Sequence, residues 1–144
     1  MAERWHIAQI NIATFRVPRS EQVNASFDAA LDEVNALAEA APGFIWRMLG
    51  EGDSHDPGVS INMTVWDTID ALAAFAYRNT IHRGVMRRRE EWFVEMPVYL
   101  ALWWVRAGTI PTLQEGLSKL ELIGRLGPTS DAFDFKTMFP PPGE

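Results

Sequence analysis

The chain has 144 residues and a formal net charge of −6, from 13 basic and 19 acidic side chains, and it contains no cysteine. Disulfide frameworks, cysteine zinc sites and thiol nucleophiles are thereby excluded, and the acidity disfavours the broad phosphate-binding surface that nucleic acid requires. A fold of this length buries roughly 68–70% of its unfolded surface, so a core can form without a covalent staple.

The opening MAERWHIAQINIATF has no apolar run behind a basic segment, and no stretch approaches the roughly 18 apolar residues of a membrane span. The expectation is a cytoplasmic protein with no membrane contact. Six Trp, eight Phe and two Tyr are more rings than one small core readily hides, which points to a second apolar surface.

Taken in chain order, residues 5–16 alternate in two registers and read as a strand. Ala8, Ile10 and Ile12 form one apolar face; Trp5, Ile7, Gln9 and Asn11 form a mixed one. Asn24 or Ser26 then caps a helix carrying Phe27, Leu31, Val34 and Ala38, which Pro42-Gly43 stops. Residues 44–49 read as a second strand, and GEGDSHDPG (50–58) as a turn. Residues 59–66 alternate cleanly, with Val59, Ile61, Met63 and Val65 against Ser60, Asn62, Thr64 and Trp66. Asp67 starts a helix with Asp70 in its first turn, where a carboxylate complements the helix dipole. A break at Arg78-Asn79-Thr80 leads into a second helical piece, and Pro97 precedes a last strand over 98–106. Thr112 and Glu115 form a capping box for a helix that runs to Gly127-Pro128.

This order predicts an α+β fold: a ferredoxin-like split βαβ unit with an antiparallel four-stranded sheet and an extra C-terminal helix. Residues 1–136 form the domain and 137–144 a Pro-rich tail that frays. The first and third strands are neighbours in the middle of the sheet. Helices cover one sheet face, and the mixed face with Trp5, Gln9, Asn11, Asn62, Thr64 and Trp66 is left bare. Two such faces packing together would form a homodimer, a dimeric α+β barrel.

VWDTIDALAAFAYRNTIHRGVMRRREEWF (65–93) and LWWVRAGTIPTLQEGLSKLELIGRLGPTSDAF (102–133), with AQINIA (8–13) and NALAEAAPGFIWR (35–47), resemble a bacterial family catalogued only as a domain of unknown function. That family belongs to the dimeric α+β barrel superfamily, which includes antibiotic-biosynthesis monooxygenases, haem-degrading monooxygenases, muconolactone-isomerase-like enzymes and stress-responsive small barrels. The resemblance implies a small apolar ligand held between the sheet and the helices. Fold alone does not choose among these activities.

His82 opens a helical segment whose dipole favours the neutral imidazole, the form that acts as a general base or binds a metal. The bland alternative is a histidine that hydrogen-bonds a neighbouring strand. Haem-degrading relatives use a helix histidine and a first-strand asparagine; the resemblance would place His82 and Asn11 in those roles. Gln9, Asn11, Asn62 and Thr64 are polar groups on apolar strands, paired either with a ligand or with one another in a ladder. Trp66, Phe75, Tyr77, Trp92, Trp103 and Trp104 form a pocket wall or a core, and adjacent Trp103 and Trp104 point to opposite sheet faces. Arg87, Arg88 and Arg89 read either as an anion clamp or as a solvated face with an Arg87/Glu91 pair. Arg47 and Arg106 are weaker candidates for holding a carboxylate. Asp53, His55 and Asp56 read as a solvated turn, so no metal site is expected.

Three functions remain open from the sequence. The first is a cofactor-independent monooxygenase, isomerase or cyclase acting on a hydrophobic or aromatic substrate, with His82 as acid or base, Asn11 and Asn62 as oxyanion donors, and Trp5, Gln9, Thr64, Trp66, Phe75, Arg89, Trp92, Trp103 and Trp104 around the substrate. The second is a haem protein with His82 on iron. The third is a non-catalytic dimer that binds a small ligand.

Overall fold

The computed structural model describes residues 4–18, 22–49, 58–78, 84, 87–96 and 98–143. Strand β1 (Trp5–Thr14) is followed by helix α1 (Ala25–Ala40), strands β2 (Phe44–Arg47) and β3 (Val59–Trp66), helix α2 (Ile69–Arg78), a short helix α3 (Arg89–Trp92), strand β4 (Leu100–Arg106) and helix α4 (Leu113–Leu126). The sheet order is β2-β3-β1-β4, and every pairing is antiparallel. This is the expected ferredoxin-like α+β arrangement, with β1 and β3 paired at its centre. Among the described residues no helix is long and apolar enough to cross a membrane.

The period-two pattern sets the register. Ile7 pairs with Trp66, Gln9 with Thr64, Asn11 with Asn62 and Ala13 with Ser60, so the polar residues of both central strands fall on one face as cross-strand pairs. On the other face Ala8, Ile10, Met63, Val65, Ala101 and Trp103 are buried almost completely.

Coverage of the two faces differs from the sequence expectation. The mixed face is roofed by α1 and α2 of the same chain, and the aliphatic face is roofed by α4. Leu113, Leu117, Leu120 and Ile123 of α4 pack on that aliphatic face. Alternation shows that a strand has two faces, but it does not say which helix docks on which. With the mixed face covered, nothing in the sheet itself requires a second copy of the chain.

Helix α4 reaches the sheet closely because Gly116 carries no side chain: a Cβ there would lie 2.8 Å from Ile10 Cδ1 and 2.9 Å from Met63 Sδ. Thr112 Oγ1 accepts from Glu115 N at 3.1 Å, which is half of the expected capping box. The Glu115 carboxylate instead accepts from Trp103 Nε1 at 2.7 Å, tying the helix start to the sheet. Asn24 occupies the N-cap position of α1 without capping it; its amide donates to the carbonyls of Val17 and Pro18. Helix α2 is capped by Thr68, whose Oγ1 accepts from Ala71 N at 3.0 Å, rather than by Asp67.

Phe139, in the tail that the sequence suggests will fray, is docked, as is the segment before it. Phe133 exchanges both backbone hydrogen bonds with Leu102, which covers the outer edge of β4. Phe139 rests against Phe133 with ring centroids 5.8 Å apart, and its carbonyl accepts from Trp104 Nε1 at 2.9 Å. A half-buried indole that needs an acceptor explains this docking better than local composition does.

Candidate functional site

A cavity of about 370 Å³ lies between the mixed sheet face and the helices. That volume is within the range of small-molecule sites, roughly 300–1,000 Å³. Its floor is Gln9, Asn11 and Ala13 of β1 with Ser60, Asn62, Thr64 and Trp66 of β3. Helix α1 contributes Phe27, Leu31, Val34, Asn35 and Ala38; α2 contributes Leu72, Phe75, Ala76 and Tyr77. Arg87, Arg89, Trp92, Phe93, Tyr99, Leu100 and Phe135 close the remaining side.

The polar floor is one continuous hydrogen-bonded row. Trp66 Nε1 donates to Thr64 Oγ1 at 2.9 Å. Gln9 Nε2 donates to Thr64 Oγ1 and to Asn62 Oδ1, each at 2.8 Å. Asn11 Nδ2 donates to Gln9 Oε1 at 3.1 Å and to Asn62 Oδ1 at 3.4 Å. Gln9 therefore uses both its donor protons and its oxygen inside the row. Both expected roles coexist here: the row satisfies itself along its length, yet three groups are left over. Asn62 Nδ2, Asn11 Oδ1 and the Thr64 hydroxyl proton have no partner among the described residues. The available amide donor is thus Asn62, whereas Asn11 offers an acceptor and helps hold Asn62 in place.

The walls are aromatic. Trp66 stacks on Phe75 with centroids 5.3 Å apart and planes at 29°, and Phe44 packs edge-on against Trp66. Phe27 lies 5.4 Å from Trp92 and 4.9 Å from Phe93. Trp92 Nε1 donates to Ser26 Oγ at 2.9 Å, and Ser26 lies inside the first turn of α1 rather than at its cap. At the rim, burial first, then Tyr99 and the Asp134 carboxylate, raise the Tyr77 phenol above the usual tyrosine range, so it is a neutral hydroxyl at physiological pH.

Of the residues expected around the ligand, Gln9, Asn11, Asn62, Thr64, Trp66, Phe75, Arg89 and Trp92 come together in this cavity. Trp5, Trp103 and Trp104 do not line it. Trp5 sits opposite Arg106 at the start of β1. Trp103 is buried against α4, and Trp104 is covered by the C-terminal segment. His82 lies outside the described residues, as do Asp53, His55 and Asp56. The described lining contains no histidine, so the donor set around the cavity supplies no imidazole for a haem iron, and that reading rests on His82 alone. No group of His, Asp and Glu suited to a metal ion occurs among the described residues.

The expected Arg87/Glu91 pair is not formed. Arg88 takes Glu91 at 3.0 Å and lies over Trp92, leaving Arg87 to line the cavity. Arg47 is engaged by Glu39 at 2.6 Å, and Arg106 is exposed and outside the cavity. The sequence pattern does not place Ser60, Asn35, Tyr99, Leu100 or Phe135 at the site. Ser60 alone carries a usable signal, since it shares the alternation of Asn62 and Thr64.

Several solved structures share this fold. A candidate antibiotic biosynthesis monooxygenase from Nitrosomonas europaea superposes with a TM-score of 0.54 at 14% identity, over 78% of this chain and 97% of that one. A protein from Mycobacterium tuberculosis gives 0.55 at 16% identity, over 75% and 98%. A mutant of SnoaB, a cofactor-independent oxygenase from Streptomyces nogalater, gives 0.51 at 14% identity, over 73% and 95%. At such identities the likeness establishes the fold. No curated protein matches the chain in sequence. The profile of the family described as Domain of unknown function (DUF3291) matches residues 6–144, and the chain belongs to that family.

Proposed function

We propose that the chain is a monooxygenase-type enzyme that binds a small aromatic molecule in the cavity and oxidises it without a cofactor. The observation that carries this reading is Asn62 Nδ2, an uncommitted donor held by two hydrogen bonds to its own oxygen, on the floor of an aromatic cavity. The likeness to SnoaB supports it at the level of fold.

An oxygenase without a cofactor must draw its electrons from the substrate. For a ring methylene beside a carbonyl or phenol, the carbon gives up both hydrogens and is oxidised to a ketone. Dioxygen is reduced in the same reaction: one oxygen atom stays on the carbon, and the other leaves as water with the two hydrogens. Loss of one proton gives an enolate or phenolate whose charge sits on oxygen. Asn62 Nδ2 and the Thr64 hydroxyl are the donors that would hold that oxyanion, and a preorganised donor in a water-poor site acts most strongly where charge develops. Trp66, Phe75, Phe27 and Trp92 would keep the ring flat and exclude water. His82 remains the proposed proton acceptor.

Oxygen uptake with a panel of fused-ring phenols and cyclic aryl ketones tests this reading. Turnover by the purified protein that falls about a hundredfold in Asn62→Ala is the expected result. No uptake with any member, or turnover indifferent to Asn62, would remove the oxygenase reading. The homodimer is a separate proposal; Ile45 and Leu49, exposed near the outer edge of the sheet, are apolar surface that a second copy could cover.

A further inference from the structure

The cavity has a charge pattern that the oxygenase reading does not use. Arg87 and Arg89 both line it, and no described acidic residue does. In a chain with 19 acidic and 13 basic residues, such a lining is cationic against the trend of the whole molecule. The Arg89 guanidinium carbon lies 4.7 Å from the Tyr99 ring centroid, and Tyr99 is itself part of the wall, so this charge is held at the cavity by stacking. Arg87 makes no hydrogen bond or ion pair with any described residue. The nearby Glu91 is taken by Arg88. The remaining ionisable lining groups are the phenols of Tyr77 and Tyr99.

We infer that the occupant is an amphipathic acid, with an aromatic or otherwise apolar body against Trp66 and Phe75 and a carboxylate at Arg87 and Arg89. This inference rests on the cavity being the ligand site, and it specifies the ligand's second end. The planar fork of a guanidinium matches a carboxylate in two parallel hydrogen bonds, which a neutral ring cannot use. A net-negative protein otherwise repels anions, so recognition of one needs such a local cationic wall.

Calorimetric titration of the full chain with 2-naphthoate and with methyl 2-naphthoate tests it, because the pair differs chiefly in charge. The acid is expected to bind about tenfold tighter than the ester, equivalent to ~1.4 kcal/mol. Arg89→Met and Arg87→Met should each weaken the acid severalfold more than the ester, and Arg89→Lys, which keeps the charge but loses the planar fork, should recover only part of the preference. Raising salt from about 0.05 to about 0.5 M should narrow the gap between the two ligands. Ester binding that persists in each variant shows that the pocket is intact. If Arg89→Met fails to fold, the Arg87→Met and salt comparisons decide the matter. Equal binding of acid and ester would overturn the acid inference while leaving the cavity as a site. Binding of neither would overturn the cavity reading, and this inference with it.

Discussion

Gln9 and Thr64 face each other across the central strand pair, with Gln9 Nε2 2.8 Å from Thr64 Oγ1, and the same hydroxyl oxygen accepts the Trp66 indole proton. One oxygen thereby fixes an amide and a ring at once. Thr64→Val keeps the shape and removes the acceptor, leaving two buried donors short of a partner. The variant should lose about 1–3 kcal/mol of stability, read as a lower urea midpoint at unchanged slope. An unchanged midpoint would mean that the row contributes nothing to folding.

Gly43 and Gly116 make opposite predictions from similar crowding. Gly43 has φ 87°, and a Cβ there would sit 2.5 Å from Ala71 Cβ and 2.5 Å from Asp67 Oδ1. Gly43→Ala combines a disfavoured left-handed backbone with a collision against a methyl that cannot rotate away, so it should cost at least about 2 kcal/mol. Gly116 is helical, and the atoms in its way are the ends of Ile10 and Met63. In Gly116→Ala the helix-propensity gain of about 1 kcal/mol offsets the squeeze, for a net change near zero. Gly116→Val should lose about 1–3 kcal/mol, because branching pushes α4 off the sheet. Thermal melts of the three variants check the order.

Removal of residues 139–144 should expose more of Trp104 and replace its Phe139 acceptor with water. The expected signs are a loss of about 1–3 kcal/mol and red-shifted tryptophan emission. Emission and melting identical to those of the full chain would show that Phe139 does not hold the indole.

Much of this was legible in the sequence, and for definite reasons. Strict alternation over 59–66 gives both the strand and the face that carries Asn62, Thr64 and Trp66. Thr112 and Glu115 mark the start of α4 because a cap is a local event. Docking is not local. The four leucine-type positions of α4 are a stripe in any register, and nothing in them says that they belong on Ile10 and Met63 rather than on a second molecule. The same holds for Trp103 and Trp104: pleating requires opposite faces, but only the fold shows that Glu115 takes one indole and Phe139 the other. Arg87 was obscured because three successive arginines look alike, and the choice of Arg88 as the partner of Glu91 depends on where Trp92 lies. The second apolar surface suggested by the tryptophan content is largely the underside of α4 and the C-terminal segment.

Six indole N–H groups make the central claim directly measurable, since only Trp66 and Trp92 among the six line the cavity. Titrating isotope-labelled protein with 2-naphthol and following the indole cross-peaks by NMR should shift Trp66 and Trp92 saturably, with Trp5 and Trp103 left in place. Shifts confined to Trp5 or Trp103, or no saturable shift at all, would contradict a ligand site between the amide row and the helices.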